Sequence, residues 1–133
     1  MKIKKDVFDK IIAHAKKDAP VEACGYLAAK DGVVLRHYEL TNRDKSHEHF
    51  SFDPREQFAA VRDARANGCV VSAVYHSHPA SPARPSAEDI KLARDPQASY
   101  VIVSLINKTP EVKSFRIMDA KVETEVLEVI GDE

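Results

Sequence analysis

No stretch of the sequence is apolar for long enough to cross a bilayer, and the basic start Met1-Lys2-Ile3-Lys4-Lys5-Asp6 runs into an amphipathic segment without a signal-peptide core. A cytoplasmic protein is expected. Charge of one sign is also missing: 31% of the residues are charged, yet they cancel to a net −1. No broad field for nucleic acid or a membrane surface follows, so partners are expected to be read by shape. There are only two cysteines, Cys24 and Cys69, both in apolar runs. That suits buried thiols in a reducing compartment better than a disulfide framework. Repeats, low-complexity tracts and linkers are absent, and 133 residues with 44% hydrophobic content fit one domain, 1–133, with a core of its own.

Periodicity outlines the elements. Val7, Phe8, Ile11, Ile12 and Ala15 recur at helical spacing over Lys5 to Asp18, with Asp6 as the expected cap and His14 at the edge of the stripe. Val21 to Ala29 and Val33 to Leu40 read as strands joined by an Asp31-Gly32 hairpin turn. A polar loop from Thr41 leads into an expected short strand, His49 to Phe52. Asp53-Pro54 then opens a helix to Ala66 with Phe58, Val61 and Ala64/Arg65 on its face, and Asn67-Gly68 ends it. Tyr100 to Ile106 and Glu111 to Met118 read as strands, and so does Lys121 to Ile130 on its β-branched content.

Chemistry concentrates in Ser72 to Asp89. If the apolar run Cys69 to Tyr75 is a strand, His76 and His78 project from one of its faces. The proline-rich loop through Pro79, Pro82 and Pro85 then returns the chain, and Ser86-Ala87-Glu88-Asp89 opens a helix, expected over Ala87 to Arg94 with Ile90 and Ala93 inward. Asp89 can thus join the two imidazoles. Two histidines and a carboxylate leave a fourth position for water, which is the ligand count of a catalytic zinc site. Ser-x-x-Asp also reads as a plain helix cap, and His-x-His as polar surface. The four positions together favour the metal reading. A second His-x-His, His47 and His49, has no acid at a matching distance and reads as a solvated loop.

The run His76-x-His78-x7-Ser86-x2-Asp89, with Glu22 upstream in Pro20-Val21-Glu22-Ala23-Cys24-Gly25-Tyr26-Leu27, resembles the JAMM (MPN+) metalloprotease signature in its small single-domain prokaryotic form. The resemblance implies an α/β fold of three layers, a mixed sheet flanked by helices as in cytidine deaminases. It also implies Zn2+ on His76, His78 and Asp89, Glu22 as proton carrier and Ser86 as oxyanion donor. The implied reaction is hydrolysis of a peptide or isopeptide bond after the C-terminal glycines of a ubiquitin-like or sulfur-carrier protein. Short loops at Thr41 to His49 and Arg94 to Ser99 argue against selectivity for ubiquitin chains. Two competing readings are a non-catalytic scaffold, which usually lacks some site residue, and a hydrolase of small amides. Cys24 shares the strand parity expected of Glu22 but reads as a small buried thiol. The His-x-Glu with Pro-Cys-x-x-Cys that a zinc deaminase needs is absent.

Overall fold

A computed structural model describes residues 1–131, which form eight strands and three helices. In chain order these are β1 (Lys2–Lys4), α1 (Lys5–Asp18), β2 (Cys24–Lys30), β3 (Val33–Leu40), α2 (Pro54–Ala66), β4 (Val70–His78), α3 (Ala87–Leu92), β5 (Ser99–Ser104), β6 (Glu111–Met118), β7 (Lys121–Glu125) and β8 (Glu128–Ile130). All eight strands share one mixed sheet in the order β7-β6-β5-β4-β2-β3-β1-β8. The parallel pairs are β4 with β5 and β1 with β3 and β8; the others are antiparallel.

The connection between β7 and β8 dictates the shape. These two strands are the opposite edges of the sheet, yet only Val126 and Leu127 separate them. Eight strands laid flat would span roughly 34 Å, while three Cα steps reach about 11 Å, so the sheet has to curl. The N-terminal ammonium donates to the Val126 carbonyl at 2.7 Å, and Glu128 N donates to Met1 O, which fastens the closure. The segment expected as one strand from Lys121 to Ile130 is therefore two strands on opposite edges. Strands as short as β1 and β8 carry too few residues for a period to show.

Helix α1 fills the concave face. Val7, Ile11 and Ala15 pack with Ile3, Leu27, Val34, Ala73, Tyr75, Val101 and Val103 in the main core. His14 is buried there instead of sitting at the stripe's edge, its Nδ1 2.8 Å from the Tyr75 hydroxyl and its Nε2 3.0 Å from Asp18. Lys4, not Asp6, is the N-cap residue, and β1 leads straight into the helix. On the other face α2 packs through Ala60 and Ala64, with Ala64 against Ala28 and Cys69; Phe58 is 65% exposed under the Arg62 guanidinium. Of the expected face Ala64 is buried and Phe58 is not, and the small side chains at the contact let the helix lie close to the sheet. Asp53 caps α2 by accepting from Arg55 N, with Pro54 at the first helical position. Two expected elements are different: residues 49–52 are irregular, and α3 ends at Leu92, where Ala93 turns extended, with neither Ile90 nor any other of its residues buried.

Glycine is required at position 25 by close approach. A Cβ there would run into the Tyr38 carbonyl and the Tyr75 ring. Gly25→Ala is therefore expected to cost at least about 2 kcal/mol, in the range of core overpacking, read as a lower denaturation midpoint with an unchanged m-value.

Candidate metal centre

The register of β4 decides which face the histidines take. Leu27 pairs with Ala73 but Ala28 pairs with Val71, so Ser72 is an extra residue, a β-bulge. Upstream of it Val71 packs toward α2; downstream Ala73 and Tyr75 face α1, and Val74, His76 and His78 face the other way. Without the bulge both imidazoles would enter the main core. Ile102 lies beside His76 on β5, and Cys24 lies beside it on β2.

Asp89 arrives from the start of α3. His76 Nε2, His78 Nε2 and Asp89 Oδ2 form a triangle with all three edges 3.1 Å, and the three residues are the one His/Cys/Asp/Glu group of this kind among the described residues. A tetrahedral ion with ligand bonds of about 2.05 Å holds its ligand atoms about 3.3 Å apart, so the triangle has the size of a metal site. The donor set fits as well. Pro82 O lies 2.9 Å from His78 Nδ1 and can only accept, so that nitrogen carries the proton and Nε2 offers a lone pair. His76 is held differently: the Phe50 ring lies against it, centroids 4.8 Å apart and planes 33° apart.

Two carboxylates in the site are driven in opposite directions. Burial would raise Asp89, but its close contacts with the His76 and His78 rings and the hydrogen bond from the Ser86 amide outweigh it and hold this carboxyl well below the usual range. Glu22 is 2% exposed, its Oε1 has no hydrogen-bond partner among the described residues, and burial pushes its pKa up to about 8 against the opposing influence of His78. It stands outside the ligand triangle. The strand expected from Val21 begins only at Cys24, so Glu22 lies in the segment leading into β2. That segment is fixed by Glu22 N to Ser46 O at 2.8 Å, Asn42 Nδ2 to Glu22 O at 3.1 Å and Ala23 N to Ser77 Oγ at 2.8 Å. Cys24 is an inert neighbour: burial pushes its thiol up to about 12, and its Sγ is directed to Leu40 O.

Ser86 forms a full capping box. Its Oγ accepts from Asp89 N at 3.0 Å while its own N–H donates to Asp89 Oδ2 at 2.9 Å. The cap uses an oxygen lone pair and leaves the hydroxyl proton free, so capping and donation to a substrate oxygen do not compete. His47 is exposed, and His49 pairs with Asp44 at 3.0 Å; neither joins the triangle. A cavity of about 450 Å3 opens beside His76 and Asp89, lined by Tyr26, Phe50, Phe52, Val74, Tyr100 and Ile102 among others. Phe50 and Phe52 in this wall escape a sequence reading, since in a polar loop they look like one half of a short strand.

The curled mixed sheet between helices and the ligand triangle at the end of its central strand define a JAB/MPN-type domain with a candidate metal site. The chain belongs to the prokaryotic homologs of the JAB domain, a family that it matches over residues 4–118. It is 38% identical to the CysO-cysteine peptidase of Mycobacterium tuberculosis over 133 residues, covering 96% of this chain and 90% of that protein. Among solved structures, protein DSY2949 from Desulfitobacterium hafniense superposes with a TM-score of 0.87 at 49% identity, over 99% of this chain and 92% of that one. AF2198, a JAB1/MPN domain protein from Archaeoglobus fulgidus, has a TM-score of 0.68 at 25% identity, over 98% and 99%.

The displaced pKa of Glu22 has a measurable consequence in the metal-free protein. A carboxyl that is ordinary when unfolded, near 4.5, and raised to about 8 when folded binds its proton more tightly in the native state. Its contribution is fully present below pH 4.5 and is lost as pH rises toward 8. Glu22→Gln has nothing to titrate there. Between pH 4.5 and 8 the stability difference should move in favour of the variant by on the order of a few kcal/mol, measured by urea titration of both metal-free proteins.

Proposed function

We propose that this protein is a zinc-dependent peptidase, acting on the amide that follows the C-terminal glycines of a ubiquitin-like or sulfur-carrier protein. The observation that carries the reading is the convergence of three ligand atoms, together with Glu22, which interacts electrostatically with His78 and Asp89 and whose Oε1 is buried without a hydrogen-bond partner among the described residues. The similarity to a CysO-cysteine peptidase over nearly the whole of both chains supports the substrate class. His76, His78 and Asp89 would hold the ion. When bound, zinc supplies Lewis acidity, which polarises a carbonyl and brings the acidity of water toward neutral pH.

The protein's own groups do the rest. Glu22 takes the proton of the attacking water and hands it to the leaving amine; its burial keeps it basic enough to accept, and its place outside the ligand set leaves it free to do so. Ser86 donates a hydrogen bond from its hydroxyl to the carbonyl oxygen as negative charge develops there. An extended tail would enter the cavity beside His76, whose lining includes Phe50, Phe52 and Tyr100. Glycines at the scissile end let the main chain come close to Asp89 and Ser86 without side-chain conflict. A cytoplasmic setting agrees with two free cysteines and with the absence, among the described residues, of a helix long and apolar enough to cross a membrane.

The test is incubation of the zinc-loaded protein with a ubiquitin-like protein carrying one residue beyond its terminal Gly-Gly, followed by mass spectrometry. Loss of the extra residue is expected from the parent and not from His76→Ala, which should also lose stoichiometric zinc. Glu22→Gln should keep the zinc and lose turnover. No cleavage by a fully zinc-loaded parent, or near-parental turnover by Glu22→Gln, refutes the reading.

Ser86→Ala should show two losses together: ~1 kcal/mol of stability from the cap, and a kcat lower by about 10²-fold at little changed KM from the missing donor. Thermal melts and steady-state kinetics on one preparation separate them. A destabilised variant with parental kcat leaves Ser86 as a cap alone.

A further inference from the structure

We propose that Asn42 is the positioning residue that sets where the Glu22 carboxylate stands, an inference that rests on the reading of Glu22 as the proton carrier. Residues 20–23 lie between α1 and β2 and take no part in the regular ladder. At the Glu22 carboxylate, Oε1 is buried without a hydrogen-bond partner among the described residues and so gives the side chain no anchor. Its location is therefore inherited from its backbone.

Besides the backbone bond from Glu22 N to Ser46 O at 2.8 Å, side chains hold that backbone from two sides. On one, Ser77, the residue between the two histidines, points away from the ligand face and clamps Ala23: Ser77 Oγ accepts from Ala23 N at 2.8 Å, and Ser77 N donates to Ala23 O at 2.9 Å. On the other stands Asn42, two residues past the end of β3 and 6% exposed. Its amide is fully used. One N–H goes to Glu22 O at 3.1 Å, the other to His49 O at 3.0 Å, and its Oδ1 accepts from Asp44 N at 3.0 Å. Among the described residues it is the one side chain bonded to the Glu22 main chain.

The arrangement requires an amide. A carboxylate of the same shape would present oxygen to two carbonyl oxygens, and an apolar side chain would leave both buried carbonyls unpaired. Asn42 also ties Glu22 to the loop whose Phe50 lies against His76, so one side chain fixes the proton carrier relative to the ligand face. The ligands have independent supports in the β4 ladder, the Pro82 carbonyl and the Ser86 amide. Removing Asn42 should thus move Glu22 and spare the metal. A displacement near 1 Å is worth about 10²-fold in rate.

The experiment compares Asn42→Ala and Asn42→Asp with the parent, using a ubiquitin-like protein extended by one residue beyond Gly-Gly and expressing activity per folded, zinc-loaded molecule. The expected result is a kcat lower by about 10²-fold in both variants, KM within about threefold, and zinc affinity by chelator competition within about threefold. Ser77→Ala probes the same placement from the other side and should lower kcat by roughly tenfold, which keeps the test decisive if an Asn42 variant folds poorly. Parental kcat in the folded variants, with only the melting temperature reduced, overturns the inference and leaves Asn42 a structural residue. Zinc affinity falling in step with kcat overturns it too, since the effect would then run through the ligands. Glu22→Gln in the same assay separates the two readings: if that variant stays active, the role of Glu22 fails; if it is dead and the Asn42 and Ser77 variants are not, only the positioning role fails.

Discussion

The site depends on the alternation of side chains along β4 below the bulge at Ser72. From Ala73 onward the odd residues Ala73, Tyr75 and Ser77 enter the α1 side and the even residues Val74, His76 and His78 enter the site. One strand serves as core and as ligand platform, and a slip of a single residue would exchange the two. The register is locked from the core side. Tyr75 lies under Gly25, where no side chain could fit, and its hydroxyl meets His14 Nδ1, whose other nitrogen meets Asp18 at the end of α1. Burial outweighs the nearby Glu39 and Asp18 and lowers the pKa of His14, so a neutral imidazole here is part of the packing.

Environment, not residue type, separates the two acids at the centre. Asp89 lies against both imidazoles and the Ser86 amide, which hold its carboxyl well below the usual range, and this suits a ligand. Glu22 is buried, its Oε1 has no hydrogen-bond partner among the described residues, and burial pushes its pKa up to about 8, which suits the proton-carrying role proposed for it. Exchanging their surroundings would exchange their roles. This division also explains why the buried oxygen on Glu22 is tolerated. A donor that satisfied it in the resting state would have to be displaced before the carboxylate could take a proton.

Residues that the structure gathers from a spaced motif could be picked out without it. His76, His78 and Asp89 stand at fixed intervals around a strand and a helix start, and the first two helices and the β2–β3 hairpin follow from periodicity and turn chemistry. Residues that act through someone else's backbone could not. Asn42 is one polar residue in a polar loop, and nothing local shows that its amide reaches Glu22 twenty positions earlier. Ser77 looks like the spacer of His-x-His, although its hydroxyl holds the opposite face. The bulge at Ser72 leaves no mark in an apolar run, and the split of β7 from β8 is imposed by closure of the sheet, a constraint felt only by the whole chain.

Helix α3 shows how closely the ligand set and the architecture are joined. It has six residues and buries none of them, so neither propensity nor core packing accounts for it, and a single isolated turn and a half would not persist in water. What defines it is its first turn. Ser86 and Asp89 cap each other, and the same Asp89 oxygen that accepts the Ser86 N–H meets both imidazoles. Leu92 and Ala93, at its far end, form part of the wall of the cavity beside His76. Anything that holds Asp89 to the histidines therefore also holds that wall. Ligand geometry and groove shape are linked through one short helix, and an ion bound at the triangle would strengthen both with the same contacts.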